Sequence, residues 1–274
     1  MKTRIITAVV GIPVLLLLIL WAPLWAFGIG LGAVCAIAAW ELMRCSLGET
    51  PKRIYVSAML CAFCLPMMFS FGLQMTAGVG VLLFLFFVLS LELMISFQSK
   101  RHITLEMVAI SMLAGAVLPL MLSTLIRIAR VEDAGRVRVL VPLIVAFGSD
   151  AGAYFTGIKW GKRKLVPTIS PHKTLEGAVG GVVSGTVLAV IYGLILMAFG
   201  YKVNLLTLGG FGLLGSMVSQ LGDLTFSSFK RQYGVKDYSN ILPGHGGMLD
   251  RFDSLYYLAP LAELWMYWLG VIGR

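Results

Sequence analysis

The sequence is short of charge, and above all of acidic charge. Only 13% of its 274 residues are charged, and Asp and Glu together number 13. Soluble globular domains carry roughly 25% charged residues. The composition therefore excludes an ordinary soluble domain. A hydrophobic content of 58% indicates instead a protein that crosses the membrane several times.

Cysteine is equally scarce, which limits redox and metal chemistry. The four cysteines lie in or beside the first three apolar segments, and Cys61 and Cys64 form a Cys-x-x-Cys pair within "SAMLCAFCLPMMF". A redox or metal site needs a polar setting or a second pair of ligands, and this segment has neither. We interpret the cysteines as small apolar packing residues.

Long apolar runs are abundant. A membrane-spanning helix needs about 20 residues, and nine runs approach that length: 5–20, 24–42, 54–71, 76–96, 105–127, 139–158, 175–199, 205–228 and 252–271. The first run has the basic start of a secretory signal but no convincing cleavage site, so we expect it to be retained as a helix.

These runs predict an all-α, polytopic integral membrane protein with about nine transmembrane helices. About five helices fall in residues 1–135, which we expect to serve as a scaffold with lipid or oligomer contacts. About four fall in residues 136–274, which we expect to carry the catalytic site.

The positive charges predict the orientation. Lys and Arg are dense in residues 159–173 and 230–251, two stretches that a cytoplasmic N-terminus places on the inside. Because cytoplasmic loops carry an excess of Lys and Arg, we predict a cytoplasmic N-terminus and an external C-terminus. Six of the 22 Lys and Arg residues fall outside in this orientation, and four of them lie in the fifth connection: Arg127, Arg130, Arg136 and Arg138.

The scarce carboxylates cluster near the predicted inner ends of the later helices. Asp150 and Asp223 lie within apolar runs, Glu176 starts the seventh run, and Asp250 and Asp253 share one face of the first turn of the ninth. An ionised carboxylate in an apolar span is costly and usually functional, which favours a function for Asp150 and Asp223. For Glu176 and Asp253, helix capping is an equally good interpretation.

Such a group of carboxylates predicts a cation. Gathered carboxylates repel one another unless a cation lies among them, and oxygen ligands favour Mg²⁺. Lys173 and Lys236 lie in nearby loops, and acids, a divalent cation and basic side chains together bind polyphosphate.

The glycines of "PGHGG", residues 243–247, allow backbone N–H groups to approach phosphate oxygens, although a tight turn would use them too. His245 is equally compatible with a phosphate contact and with capping of the turn.

Residues 227–253, "SSFKRQYGVKDYSNILPGHGGMLDRFD", resemble the signature of the phosphatidate cytidylyltransferases, also called CDP-diacylglycerol synthases. "SPHKTLEG" and "GDLTFSSFKR" upstream resemble that family as well, so its motifs cover about residues 148–271. The first half is similar in hydropathy only. The signature positions met are Ser227, Lys230, Arg231, Lys236, Asp237, Pro243, His245, Gly246, Gly247, Asp250, Arg251 and Asp253.

The resemblance implies transfer of a cytidylyl group from CTP to phosphatidate, giving CDP-diacylglycerol and pyrophosphate, with Mg²⁺ required. A second cation is left open, as is a homodimer. The partners expected are CTP, phosphatidate and the lipid bilayer, without nucleic acid. The protein is expected in the inner membrane of the cell, with its active site facing the cytoplasm.

The family pattern and the clustering of carboxylates together nominate site residues. Asp223 and Asp250 are the first candidates for metal ligands, followed by Asp253 and Asp150. The candidate catalytic residues are Asp223, Asp250, Lys230, Arg231 and Asp253. The candidate substrate-binding residues are Lys173, Lys236, His245, Gly246, Gly247 and Arg251. A lipid phosphate is already largely ionised near neutral pH, so no general base is expected.

Two other functions would also use parts of this pattern. A CTP-dependent lipid kinase would pass the γ-phosphate to a lipid alcohol, and the signature argues against it. A transporter would also use intramembrane carboxylates, but transport sites usually lie at the midplane, whereas these carboxylates lie near one face. The glycines of "LGGFGLLGS", residues 208–216, allow close helix approach. We expect them to serve packing within one protomer rather than a dimer.

Overall fold

The computed structural model describes residues 2–48, 50–97, 102–132, 134–242, 244 and 246–273. Pro243 and His245 of the predicted site lie outside these residues. The described helices are α1 (Lys2–Leu20), α2 (Leu24–Leu47), α3 (Lys52–Ser70), α4 (Gln74–Ser96), α5 (Leu105–Met112), α6 (Leu118–Arg130), α7 (Gly135–Trp160), α8 (Leu175–Ala198), α9 (Leu205–Gln232) and α10 (Leu249–Leu269).

The helices confirm the predicted fold class, an all-α polytopic membrane protein. Within the described residues, seven helical segments are long and apolar enough to cross a membrane, from α2 to α9 with α5 and α6 counted as one. Membrane crossing by α1 and α10 stays a prediction, as does the orientation of the N-terminus. All four cysteines are free, and Cys35 and Cys61 are buried, in agreement with a packing role.

One predicted helix contains a local irregularity. A π-helical turn, Leu113–Val117, joins α5 to α6. Gly115 in this turn lies so close to α3 that a Cβ atom there would stand 2.9 Å from the Cα atom of Ala58. The turn therefore widens the helix at a point of tight packing.

The chain forms two compact units. The first comprises Met1–Arg127 and Tyr233–Arg251, and the second comprises Ile128–Gln232 and Phe252–Arg274. The predicted division lay at residue 135, close to the first boundary. However, residues 233–251, which contain most of the signature, belong with the N-terminal helices. The scaffold role of the N-terminal half stays a prediction.

In the second unit, α8 packs through a stripe of small residues that recurs every fourth position. The buried stripe contains Gly177, Gly181, Gly185, Ala189 and Gly193. Gly212 of α9 approaches this helix so closely that a Cβ atom there would be 2.8 Å from the Cα atom of Thr186. The glycine-rich stretch 208–216 thus serves packing within the protomer, as expected, while a homodimer stays a prediction.

The second unit also contains strands that the sequence analysis did not predict. β1 (Lys164–Val166) pairs antiparallel with β2 (Ser170–Thr174), and β3 (Lys202–Val203) pairs with β4 (Ile272–Gly273). Lys173, expected in a loop, therefore lies in a strand. The β1–β2 hairpin fills the connection between α7 and α8, where its strands satisfy backbone hydrogen bonds that a bare loop would leave to water.

Candidate functional site

The β1–β2 hairpin and α9 bring together the first charged pair of the site. Lys173 on β2 forms a salt bridge through Nζ with Oδ2 of Asp223 on α9. The hydroxyl of Ser227, one turn further along α9, donates to Oδ1 of Asp223 over 3.3 Å. About a quarter of each charged side chain is exposed, 29% for Lys173 and 24% for Asp223. The pair is therefore accessible to a ligand.

The hairpin is fixed at both ends. Thr174 ends β2 and caps α8, because its hydroxyl oxygen accepts a hydrogen bond from the Gly177 amide over 3.1 Å. At the turn, the Nε atom of Arg231 donates to the carbonyl of Ile169 over 3.1 Å. This contact stabilises the hairpin that presents Lys173, and the predicted catalytic role of Arg231 stays a prediction.

Asp253 on α10 joins the same cluster. Its side chain is buried, and its carboxylate interacts electrostatically with Asp223, Asp150 and Lys230. Lys230 is also buried. The close approach of α9 and α10 depends on Gly222, where a Cβ atom would stand 3.1 Å from the carbonyl oxygen of Asp253. Three of the four predicted metal ligands are thus neighbours within the second unit.

Gln220 fixes the helix that carries Asp223. Its side-chain amide donates to the hydroxyl of Ser149 on α7 over 3.2 Å and to the carbonyl of Ala178 on α8 over 3.0 Å. One side chain therefore links three helices one turn before Asp223. The contact sets both the rotation and the depth of the carboxylate in α9.

The carboxylate cluster suits a metal that keeps part of its coordination for the substrate. Among the described residues, no group of three or more His, Cys, Asp or Glu side chains is arranged to hold a metal by itself. Mg²⁺ commonly uses one or two protein carboxylates, with phosphate oxygens and water completing its octahedron. Asp223 and Asp253 have the oxygen chemistry that this mode requires, and their carboxylates interact electrostatically.

Glu176 has a different use from the other carboxylates. Its Oε2 atom accepts hydrogen bonds from the backbone amides of Lys162 and Arg163, over 3.0 and 3.2 Å. Those amides follow α7, so the carboxylate closes the connection between α7 and the hairpin. Of the two interpretations left open for Glu176, the geometry supports the structural one.

The first unit contains the signature loop, residues 233–251. Asp250 is buried, and its Oδ2 atom accepts hydrogen bonds from the amides of Tyr238 and Gly247, over 3.0 and 2.9 Å. Gly246 has a φ of +81°, and a Cβ atom there would lie 3.1 Å from the same oxygen. Glycine at this position therefore permits both the left-handed backbone and the close approach of the Asp250 carboxylate.

A second carboxylate, which the sequence analysis missed, also holds this loop. Glu41 on α2 is fully buried and accepts hydrogen bonds from the amides of Met248 and Leu249, over 2.8 and 2.7 Å. The hydroxyl of Ser239 donates to it as well. The criterion that singled out Asp150 and Asp223, an acidic residue within an apolar run, applies equally to Glu41 and would have found it.

Two other predicted site residues of the loop are accessible. Lys236 and Arg251 are exposed, as a role in binding a soluble anion requires. Gly247 lies against Glu41, since a Cβ atom there would stand 2.7 Å from its Oε1. Packing against Glu41 therefore explains why a glycine stands at position 247, whereas phosphate binding by Gly246 and Gly247 stays a prediction.

A separate groove of about 750 Å³ lies along α7 and α8 in the second unit. Its lining is mostly apolar and includes Phe155, Trp160, Val179 and Val183. Glu176 borders it, whereas Asp223 and Lys173 are not among its lining residues. The polar chemistry therefore belongs to the carboxylate cluster and not to this groove.

Comparison with known proteins covers nearly the whole chain. The model of a family described as "Cytidylyltransferase family" matches residues 2–269. The phosphatidate cytidylyltransferase of Bacillus subtilis is 37% identical over 263 residues, which is 95% of each chain. That of Haemophilus influenzae is 33% identical over 289 aligned positions, covering 98% of this chain and 99% of the relative. A Staphylococcus aureus protein of the same name is 44% identical over 128 residues, just under half of each chain.

Proposed function

Since this chain belongs to the cytidylyltransferase family, we propose that it converts CTP and phosphatidate into CDP-diacylglycerol and pyrophosphate within the membrane. The observation that carries the proposal is the cluster of Lys173, Asp223, Asp253 and Lys230, which joins a hairpin and two helices. Acidic and basic side chains in one place are what a bound triphosphate and its cation require.

The chemistry needs charge neutralisation more than proton transfer. The phosphate monoester of phosphatidate has a second pKa of about 6 and is largely ionised at neutral pH. One of its oxygens attacks the α-phosphorus of CTP, the bond from that phosphorus to the bridging oxygen breaks, and pyrophosphate leaves with the electron pair. No proton has to be removed from the nucleophile, so no general base is required.

The basic side chains then have a defined task. Two highly charged anions must approach each other, and fixed cations aimed at the developing charge lower the barrier. Lys173 and Lys230 belong to the carboxylate cluster and are proposed to contact the phosphates. Lys236 and Arg251, which are exposed, are proposed to guide the nucleotide or the lipid headgroup.

Mg²⁺ is proposed as the cofactor. Asp223 and Asp253 would hold it, with Asp150 close by and Asp250 added by the family pattern. When bound, the metal supplies neutralisation of triphosphate charge and fixes its geometry. Lys173 and Ser227 already contact the Asp223 carboxylate and would keep it oriented for this role.

The site is proposed to face the cytoplasm, because CTP is a water-soluble cytoplasmic nucleotide. Phosphatidate stays in the bilayer, so its acyl chains are proposed to enter sideways between helices while the headgroup reaches the cluster. This arrangement agrees with the density of positive charge in the connections that contain Lys173 and Lys236.

The decisive experiment follows two phosphorus atoms of CTP. Purified protein in detergent receives Mg²⁺, phosphatidate and CTP labelled at either the α- or the γ-phosphate, and the lipid is then extracted. We expect label in the lipid only from the α position, with release of pyrophosphate. Label only from the γ position, on added diacylglycerol, would mean a kinase. The absence of label from both, in folded protein, would return the transporter to consideration.

The metal assignment has its own test. Asp223→Asn keeps the shape of the side chain but removes its charge. We expect turnover to fall by about 100-fold, the upper end of losses seen when groups around a metal are changed. Activity measured across a Mg²⁺ titration is the readout, and Glu176→Gln, in the same unit but bonded to backbone amides, is the matched control. Near-normal turnover of Asp223→Asn at all Mg²⁺ concentrations would refute the assignment.

A further inference from the structure

The N-terminal helices contribute a buried carboxylate to the signature loop. Glu41 has no exposed surface, and it accepts three described hydrogen bonds: two from the amides of Met248 and Leu249 and one from the hydroxyl of Ser239. These donors lie at the two ends of the stretch from Ser239 to Leu249. A single side chain of α2 therefore binds both ends of this stretch.

The contact is built for an anion. Met248 and Leu249 lie at the start of α10, where backbone amides have no partner within the helix and the helix dipole favours negative charge. Hydrogen bonds from amides to a carboxylate are shorter and stronger than those to a neutral acceptor. The bonds of 2.8 and 2.7 Å agree with that description.

The amides that Glu41 holds adjoin Asp250. Leu249 precedes Asp250 directly, and Gly247, which donates to Asp250 through its amide, lies against the Glu41 carboxylate. A change at Glu41 therefore reaches the backbone on both sides of the Gly247–Asp250 hydrogen bond. No rigid-body movement of a helix is needed for that effect.

A second acidic residue holds the beginning of the loop. The hydroxyl of Tyr233 donates to Oε1 of Glu106, at the start of α5, over 3.1 Å. Burial, and then this hydrogen bond, raise the pKa of Tyr233, so the hydroxyl remains a protonated donor near neutral pH. Helices α2 and α5 thus restrain the loop at its two ends, and Glu41 makes the greater number of contacts.

We propose that Glu41 is a positioning residue for the reaction: it sets the backbone of residues 247–249 and thereby the carboxylate of Asp250. Nothing in the reaction requires it to touch substrate. This inference rests on the proposed function for its kinetic consequence, whereas its structural part concerns the loop alone.

The test compares Glu41→Ala and Glu41→Gln with a matched control. The control is Glu92→Gln, which neutralises another buried acid of the first unit, one bound to Arg53 over 3.2 Å and outside the signature loop. Glutamine at position 41 keeps the size of the side chain but turns an NH₂ group toward amides that also donate. Thermal unfolding of each variant shows whether the folded protein is retained.

Hydrogen exchange followed by mass spectrometry reads the loop directly and needs no substrate. For both Glu41 variants we expect peptides that contain Met248 and Leu249 to exchange about 10-fold faster or more, since a charge-assisted hydrogen bond is lost. Peptides from α8 should not change. Glu92→Gln should leave the exchange of the loop as it is in the parent protein.

Kinetics supply the second readout. For Glu41→Ala we expect kcat to fall by about 10- to 100-fold and the Mg²⁺ concentration for half-maximal activity to rise, as for a residue that orients a metal ligand. A purely structural role would reduce the amount of folded protein without changing kcat per folded molecule or the Mg²⁺ requirement.

Each outcome decides the matter. Faster exchange together with the kinetic change supports the proposal, and either one without the other overturns it. If Glu41→Ala does not fold, Glu41→Gln and Ser239→Ala, which removes only the hydroxyl donor, take its place. If α-label fails to enter lipid, the proposed function falls, and exchange still decides whether Glu41 holds the loop.

Discussion

A single lysine side chain shows how the site is balanced. Lys173 neutralises Asp223 in the structure, and about a quarter of the pair is exposed to solvent. An arriving triphosphate with its cation would compete for both partners: the cation for the carboxylate, and the phosphate for the ammonium group. The pair therefore offers a carboxylate to the cation and an ammonium group to the phosphate, which a neutral pair of the same shape would not do.

Lys173→Gln tests this balance. We expect a loss of about 100-fold in kcat/KM for CTP, because a fixed positive charge near the reacting phosphates is removed. Steady-state kinetics at saturating Mg²⁺ are the readout. Lys162→Gln is the matched control, since Lys162 is exposed and lies just beyond α7. An equal effect of the two substitutions would mean that only the general positive field matters.

The sequence predicted the members of the carboxylate cluster better than their partners. Asp150 and Asp223 could be singled out because a carboxylate in an apolar run is costly, and Asp253 was added by the family pattern. The three are neighbours in the structure. The described partners of Arg231 and Glu176 could not be predicted, since they are backbone groups of the hairpin and of the residues that follow α7. Such contacts leave no pattern in side-chain spacing.

Among the elements, α8 has the most demanding packing. At Gly181, a Cβ atom would lie 2.8 Å from the carbonyl oxygen of Ser149 and 2.8 Å from Nε2 of Gln220. Neither neighbour can move freely, because one is backbone and the other links three helices. The glycine at this position therefore keeps α7 and α9 at their observed distances from α8.

Gly181→Ala is expected to destabilise the protein by about 1–3 kcal/mol, the usual cost of an added methyl group in a filled interior. Thermal unfolding in detergent measures it. Gly80→Ala in α4 is the matched control, since a Cβ atom there would meet nothing within 4 Å. If Gly181→Ala unfolded at the same temperature as Gly80→Ala, the tight packing of α8 would be disproved.

Element positions were predicted well from hydropathy, and their ends less well. All nine predicted runs coincide with helical segments, yet α9 continues to Gln232, beyond the predicted end at residue 228. Its last turn contains Lys230 and Arg231, which favour the C-terminal end of a helix dipole. The hairpin was missed because its strands are only three and five residues long, with Pro167 directly after β1 and Pro171 within β2.

For the whole molecule, the orientation in the membrane is the main prediction that needs experiment. The positive-inside distribution places the connection after α7 in the cytoplasm and the connection between α8 and α9 outside. The molecule's substrates agree with that orientation, because CTP is made in the cytoplasm. The four arginines of the fifth connection, which this orientation places outside, are the feature that argues against it.

Two single-cysteine variants test the orientation, in a background in which the four native cysteines are replaced by alanine. Lys162→Cys marks the connection after α7 and Lys202→Cys marks the opposite end, and both lysines are exposed. We expect a membrane-impermeant maleimide to label Lys202→Cys in intact cells and Lys162→Cys only after the membrane is opened. The reverse labelling pattern would show that the predicted topology is inverted.

Hydropathy alone could not predict how the chain divides into compact units. Residues 233–251 are polar and follow α9 directly, yet they belong with the N-terminal helices. The reason lies in buried acceptors such as Glu41, whose amide partners lie 207 and 208 residues further along the chain. A single sequence, taken by itself, contains no signal for such a pairing.

The buried and exposed faces of helix α8 differ in side-chain volume and not in polarity. Its inner stripe is glycine and alanine, and the stripe at every fourth position on the outer side consists of Leu175, Val179, Val183, Val187, Ile191 and Ile195, all exposed. In a bilayer both faces are apolar, so size alone distinguishes inside from outside. Tolerance to substitution should follow the same division. On the exposed stripe one large aliphatic residue should replace another without loss of stability, whereas on the buried stripe even one added carbon atom should destabilise the protein. Residue volume, read at a period of four, is then the better guide to which side of such a helix is buried.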